Sequence, residues 1–204
     1  LELLMTRRSV RAYKPEQITE EELDAVTKAG TYAPTGMGMQ SPVIVAVQSP
    51  KYRQAVMELN KQARGGDGDP YYGAPTILLV LADPQRGTCV EDGSCVLCTM
   101  MDAAHAIGLA SCWIHGEREM FQLPEGKALL REWGLSEELR GVGSLAGLCC
   151  RTAAPAKRAQ GRLHQESVTP SKIKSLLNGI KEDGSQWGPF SFVVLACVLS
   201  VLRL

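Results

Sequence analysis

Gly108-Leu109-Ala110-Ser111-Cys112-Trp113-Ile114-His115-Gly116 is the stretch on which the fold turns. Leu109–Ile114 is short, mostly apolar and bounded by glycines, which predicts a strand that ends at His115-Gly116. Upstream, residues 91–107 carry Val96, Leu97, Met100, Met101, Ala104 and Ile107 at helical spacing, and Gly108 is placed to end that helix. Downstream, Pro124 to Trp133 predicts another helix with Gly134 after it, and Val142–Ala146 starts a further strand.

The same alternation runs back towards the N-terminus. Lys14-Pro15 closes the first element. Thr19-Glu20-Glu21-Glu22 is a capping box, with Thr19 as N-cap and Glu22 at the third helical position, and the helix runs to about Thr31. The loop Ala33–Pro42 holds Pro34, Gly36, Gly38 and Pro42, which exclude regular structure. Val43–Val47 is an apolar strand, Lys51–Arg64 has helical composition, and Gly65–Pro70 is a flexible loop. Tyr71-Tyr72-Gly73-Ala74-Pro75 leads into a second apolar strand, Thr76–Leu81. Strands alternating with helices predict an α/β or α+β sheet domain.

Composition narrows the class. The chain has 204 residues, enough for one domain with a sizeable core. Lys+Arg and Asp+Glu are both 22, so no net charge draws the chain to nucleic acid. No basic region followed by a long apolar one marks a signal peptide, and seven cysteines in such a chain predict reduced thiols in a cytoplasm. Cys89, Cys95, Cys98 and Cys112 could in principle hold zinc or an iron–sulfur cluster. Their spacing matches no strong metal pattern, so packing is the expectation and no metal site is assigned.

One short run carries concentrated chemistry: Thr6-Arg7-Arg8-Ser9-Val10-Arg11. Three guanidinium forks and a hydroxyl within six residues suit a phosphate. Read alone, the run is more readily a solvated basic turn or a helix-end charge cluster. Its context decides.

Four segments in order resemble the nitroreductase family of FMN-dependent flavoproteins. They are Thr6–Arg11, Ala33–Pro42, Tyr71–Thr76 and Gly108–Gly116, and the resemblance covers roughly residues 1–146. It implies an α+β fold, a sheet flanked by helices, in an obligate homodimer with flavin at the interface. It assigns Arg7, Arg8, Ser9 and Arg11 to the FMN phosphate and the pyrimidine edge. Pro34, Thr35, Gly36, Met37 and Gln40 would reach across the interface to the partner's flavin, although Gly38 stands where the family usually has Asn. Ile114, His115 and Gly116 would lie against the flavin ring and offer backbone N–H groups near its N5. Tyr71 and Tyr72 would line the substrate pocket. The flavin carries the hydride, so no catalytic side chain is expected. The implied activity is NAD(P)H-dependent reduction of a nitroaromatic, a quinone or a similar small acceptor, with ping-pong kinetics and either NADH or NADPH as donor. A non-enzymatic flavin carrier and a thiol-metal electron-transfer protein are the competing classes.

Beyond Ala146 the resemblance stops. The family continues with Leu-Gly-Tyr, a proline-rich arm and a basic return to the phosphate. Here the text is Gly147-Leu148-Cys149-Cys150-Arg151-Thr152-Ala153-Ala154-Pro155. An allowed back-translation read from its second base gives Gly-Tyr-Ala-Ala-Glu-Pro-Pro-Pro. The expectation is therefore a one-base frame change near Gly147. It divides the chain into a domain at 1–147 and a divergent segment at 148–204. No phosphate role is carried onto Pro155, Lys157 or Arg158. The apolar end, Phe190–Leu204, is shorter than the ~20 residues of a membrane span.

Overall fold

The computed structural model describes residues 1–150, with side chains through Gly147. The expectations for the tail, including Pro155, Lys157, Arg158 and Phe190–Leu204, fall outside these residues.

The helices are α1 (Glu2–Thr6), α2 (Glu20–Thr31), α3 (Pro50–Arg64), α4 (Cys89–Ala106), α5 (Glu117–Met120) and α6 (Pro124–Glu132). The strands are β1 (Val43–Val47), β2 (Thr76–Ala82), β3 (Leu109–Ile114) and β4 (Arg140–Cys150). They form one sheet in the order β1-β2-β4-β3, and every neighbouring pair is antiparallel. The alternatives left open by the alternating elements thus resolve to α+β.

Sequence periodicity explains the layers. Successive strand residues point to opposite faces. On β2, Leu78, Val80 and Ala82 join Val26 of α2 and Val96, Leu97, Met100 and Ala104 of α4. Its other set, Ile77, Leu79 and Leu81, packs with Val56 and Leu59 of α3, Met120 of α5 and Leu130 of α6. Helices cover both faces, so all seven β2 residues are buried, which is why the strand is a continuous apolar run. Each large apolar side chain taken from water in this way contributes about 1.5–3 kcal/mol.

The capping box at α2 forms as expected: Glu22 N donates to Thr19 Oγ1 at 3.2 Å, and Thr19 N donates to Glu22 Oε2 at 2.9 Å. Three local expectations are corrected. The first element ends at Thr6 rather than near Lys14, because the following residues leave the helix and pair with β3: Val10 N donates to Ser111 O at 3.0 Å. The loop after α2 contains one turn of 3-10 helix, Gly36–Gly38. Finally, β4 begins at Arg140, because Gly141 and Gly143 are packing positions. A Cβ at Gly141 would lie 2.2 Å from Glu117 O, and one at Gly143 would lie 2.5 Å from Trp113 Nε1.

Among the described residues, no helix is long and apolar enough to cross a membrane.

Candidate flavin-binding edge

β3 is an edge strand, paired on one side by β4. At its start the N-terminal segment joins it through a bridge between Ser9 and Ser111. Beyond Ser111 its other side is open among the described residues, so a row of backbone donors and acceptors faces outward. From Ser111 to His115 this open edge is about 13 Å long. Arg7–Arg11 sits at one end and the turn His115-Gly116 at the other.

The basic end is anchored on α1 and on the C-terminal half of α4. Arg8 Nη1 donates to the carbonyls of Met5 and Arg7, each at 2.7 Å, and so caps the end of α1. Arg7 Nε lies 3.7 Å from Asp102 Oδ1, and Thr6 Oγ1 lies 2.9 Å from His105 Nε2. Arg7 Nη1 and Arg8 Nε are buried and have no hydrogen-bond partner among the described residues. A buried guanidinium N–H left unpaired costs about 1–3 kcal/mol or more, so these donors suit an acceptor beyond the described residues. Ser9 is exposed. Arg11 is exposed too, and its guanidinium carbon lies 6.0 Å from the centre of the Tyr72 ring.

The other end is built by glycine. Gly116 has φ +124, and a Cβ there would lie 2.5 Å from Arg64 Cδ and 2.8 Å from Asn60 Nδ2. Only glycine fits both the backbone and the space. His115 is exposed, and its carbonyl accepts from Asn60 Nδ2 at 3.2 Å.

Behind this turn lies a buried polar network that the sequence did not reveal. Ser144 Oγ donates to Glu117 Oε1 at 2.6 Å, and Tyr71 OH donates to the same oxygen at 3.3 Å. Asn60 Nδ2 reaches Tyr71 OH at 3.3 Å. Glu117 is fully buried. Burial pushes its carboxyl up to about 7, against the opposing pull of the Ser144 and Tyr71 hydrogen bonds and the Arg64 charge. The Tyr71 hydroxyl is pushed up as well, by burial first and then by the Glu117 charge.

The tyrosine pair expected to line a pocket therefore divides. Tyr71 has no exposed surface and belongs to the core network; its hydroxyl has partners inside, so it does not line a surface pocket. Tyr72 is 42% exposed, has φ +54, and carries Arg11 over its ring. Asp69 fixes this turn. Its carboxylate accepts from the backbone of Tyr71 and Gly73 at 2.9 and 2.7 Å and pairs with Arg53. Burial opposes the charged form, but these donors outweigh it and hold the Asp69 carboxyl below its ordinary range.

The loop with Pro34, Thr35, Gly36, Met37 and Gln40 is held at the N-terminal end of α4. Gly36 N donates to Asp92 Oδ1 at 2.7 Å, and Thr88 Oγ1 donates to Asp92 Oδ2 at 3.0 Å. Thr35 Oγ1 lies 2.8 Å from Gln40 Oε1, and Gln40 N donates to Thr35 Oγ1 at 3.0 Å. Met37 and Gln40 have positive φ, 57° and 49°, and Met37 is 94% exposed. Asp92, which orders this loop, and Asp102, beside Arg7, are ten positions apart on α4, about 15 Å along its axis. Sequence reasoning missed Asp92 because an acidic first turn reads as a dipole partner.

Of the four thiols considered earlier, Cys89 and Cys112 are buried, Cys95 is half-buried and Cys98 is exposed. Among the described residues, no cluster of three or more His, Cys, Asp or Glu could hold a metal ion.

Over residues 4–146 the sequence matches the description of the nitroreductase family. The chain belongs to the nitroreductase family. A nitroreductase with bound FMN from Bacteroides fragilis NCTC 9343 has the same fold, with a TM-score of 0.75 and 29% identity over 82% of this chain and 97% of that one. A second nitroreductase with bound FMN, from Desulfitobacterium hafniense DCB-2, shares the fold at a TM-score of 0.68 and 23% identity, covering 76% and 91% of the two chains. The FMN reductase (NAD(P)H) of Bacillus subtilis strain 168 is 31% identical over 84 residues, which is 41% of this chain and 31% of that protein. A Methanothermobacter thermautotrophicus protein, provisionally named NADH dehydrogenase/NAD(P)H nitroreductase, is 25% identical over 138 residues, 61% of this chain and 70% of the relative. This nitroreductase-family chain thus keeps two of its motif segments, Thr6–Arg11 and Gly108–Gly116, along the open edge of β3.

Proposed function

We infer that the chain is an FMN-dependent oxidoreductase that takes electrons from NAD(P)H and gives them to a small acceptor such as a nitroaromatic or a quinone. The observation that carries this reading is the open edge of β3, with unpartnered buried arginine donors at one end and a glycine turn at the other. The residues present fit FMN. Arg7 Nη1 and Arg8 Nε have no acceptor among the described residues and suit an anion, and at the other end the Gly116 turn is packed closely on Asn60 and Arg64 of α3. When bound, FMN accepts a hydride and passes electrons on.

The chain's own groups do the rest. Arg7 and Arg8 hold the phosphate, while Ser9 and Arg11 flank it. Ile114, His115 and Gly116 position the ring, with Asn60 fixing the His115 carbonyl. Tyr72, rather than Tyr71, borders the substrate space, with Arg11 beside it. One slot serving donor and acceptor in turn gives ping-pong kinetics. The free thiols suit a reducing cytoplasm.

The partner is a second copy of the chain. Tyr32, Met37 and Met39 are 78%, 94% and 48% exposed around one ordered loop, an apolar surface that suits an interface. Pro34, Thr35, Gly36, Met37 and Gln40 would then complete the flavin site of the partner.

A visible spectrum of purified protein tests the reading. Flavin bands that bleach with NAD(P)H and return on adding a nitroaromatic support the enzyme. Bands that never bleach favour a carrier, and absence of flavin binding removes the proposal. The segment after Gly147 is proposed to be out of frame. Sequencing the DNA across that codon tests this, and an intact frame with no alternative arm encoded would reject it.

A further inference from the structure

At the far end of β3 the chain forms a cleft of about 250 Å³ that the flavin reading leaves unused. Arg64 at the end of α3, Arg118 on α5 and Arg140 at the start of β4 line it together with His115. Glu119 is the one carboxylate in the lining. Arg140 Nε is buried there without a hydrogen-bond partner among the described residues. Among the described residues, none of the three arginines has a carboxylate within 4.0 Å. Two further acids lie on the opposite side of Arg118 and Arg140, Glu137 and Glu138, with Lys127 beside them. Glu137 is taken by Arg131 at 2.5 Å. Behind the cleft, Glu117 is turned inward to Ser144 and Tyr71. Positive charge is therefore in excess, and a concave wall concentrates its field on whatever enters.

Three guanidinium groups gathered around a single lining carboxylate, Glu119, are in excess of the acids beside them, and an oxyanion offsets that excess while meeting the orphaned Nε–H. His115 belongs both to this cleft and to the turn that would carry the flavin ring, so a molecule held here would extend over the reacting edge. We propose that the cleft docks the anionic end of a substrate, a phosphate or carboxylate group, and so selects acidic substrates for the flavin site. This rests on the flavin reading above. The shared chemistry is the oxyanion; its two sources are the phosphates of the nicotinamide donor and a carboxylate on the acceptor.

The test uses the flavin-loaded protein and two variants: Arg118→Ala, an exposed change, and the double variant Arg118→Ala with Arg140→Met. In the acceptor arm, KM is measured for 4-nitrobenzoate and for the neutral 4-nitrobenzamide. In the donor arm, it is measured for NADPH and for the uncharged 1-benzyl-1,4-dihydronicotinamide. The ratio of anionic to neutral KM should rise about tenfold or more in the arm that uses the cleft. A rise in the acceptor arm identifies a carboxylate, and a rise in the donor arm identifies the nucleotide phosphates; either supports the proposal. Calorimetric titration of inorganic pyrophosphate into wild type and Arg118→Ala reads the cleft without turnover, and weaker binding in the variant is expected. Unchanged pyrophosphate binding overturns the anion site. Weaker pyrophosphate binding with both ratios unchanged overturns the substrate role. If the protein binds no flavin, the earlier reading fails instead, and the pyrophosphate titration still reports on the cleft.

Discussion

Arg7 and Glu117 show how single residues depart from what their type suggests. Arg7 is half satisfied, with Asp102 near Nε and no partner on the buried Nη1 among the described residues. Replacing it with Ala should weaken FMN binding by about tenfold or more, as loss of a charge-assisted hydrogen bond implies, while leaving the thermal unfolding transition in place. Arg7→Lys should rescue poorly, because an ammonium lacks the fixed fork. Fluorescence titration of FMN checks both, and wild-type affinity in Arg7→Ala would remove the phosphate assignment. Glu117 is an acid whose native form holds its proton more tightly than the ordinary value of 4.5, up to about 7. The native state therefore binds more protons in that window. The contribution to stability is full below pH 4.5 and lost as pH rises through about 7. Glu117→Gln removes this titration. Between pH 4.5 and 7.5, wild type should lose on the order of 3 kcal/mol relative to the variant, measured by denaturant unfolding. A stability difference independent of pH would contradict the buried titrating carboxyl.

At the level of elements, the loop after α2 depends on α4. A Cβ on Gly36 would lie 2.4 Å from Thr88 Oγ1, and Thr88 in turn donates to the Asp92 carboxylate that holds Gly36 N. Gly36→Ala should push Thr88 aside and break both contacts, with an overpacking cost of about 1–3 kcal/mol. The expected outcome is a lower melting temperature together with faster proteolysis near Met37. Unchanged stability would mean that the loop adjusts freely. The secondary elements were legible beforehand where their signals are local. Thr19 and Glu22 form the capping box, and the β1 and β3 boundaries agree with the apolar runs Val43–Val47 and Leu109–Ile114. Residues 140–141 were not legible as strand, because an arginine and a glycine carry no strand signal. Pairing with β2 places them there.

For the whole molecule, the proposed flavin site would be completed by a second chain. Met37 rises from an ordered loop and is 94% exposed, with Tyr32 and Met39 also exposed close by in sequence, so the loop presents apolar surface that a second chain would cover. The chain should run as a dimer in size-exclusion chromatography with light scattering, and Met37→Asp should shift it towards monomer and lower its flavin content together. A monomeric wild type that retains flavin would separate the cofactor from the interface.

By itself, the sequence determined the order of helices and strands, the family, and which loops hold its motifs, because caps, glycine turns and apolar periodicity are written in neighbouring residues. Tertiary structure alone decided the antiparallel pairing, the open edge of β3, and the fates of Tyr71 and Glu117. Glu117 is buried because Asn60, Tyr71 and Ser144, far apart along the chain, close around it. The cleft of Arg64, Arg118 and Arg140 likewise draws its charges from three elements. Burial and electrostatic field depend on distance in space, and no local pattern encodes them.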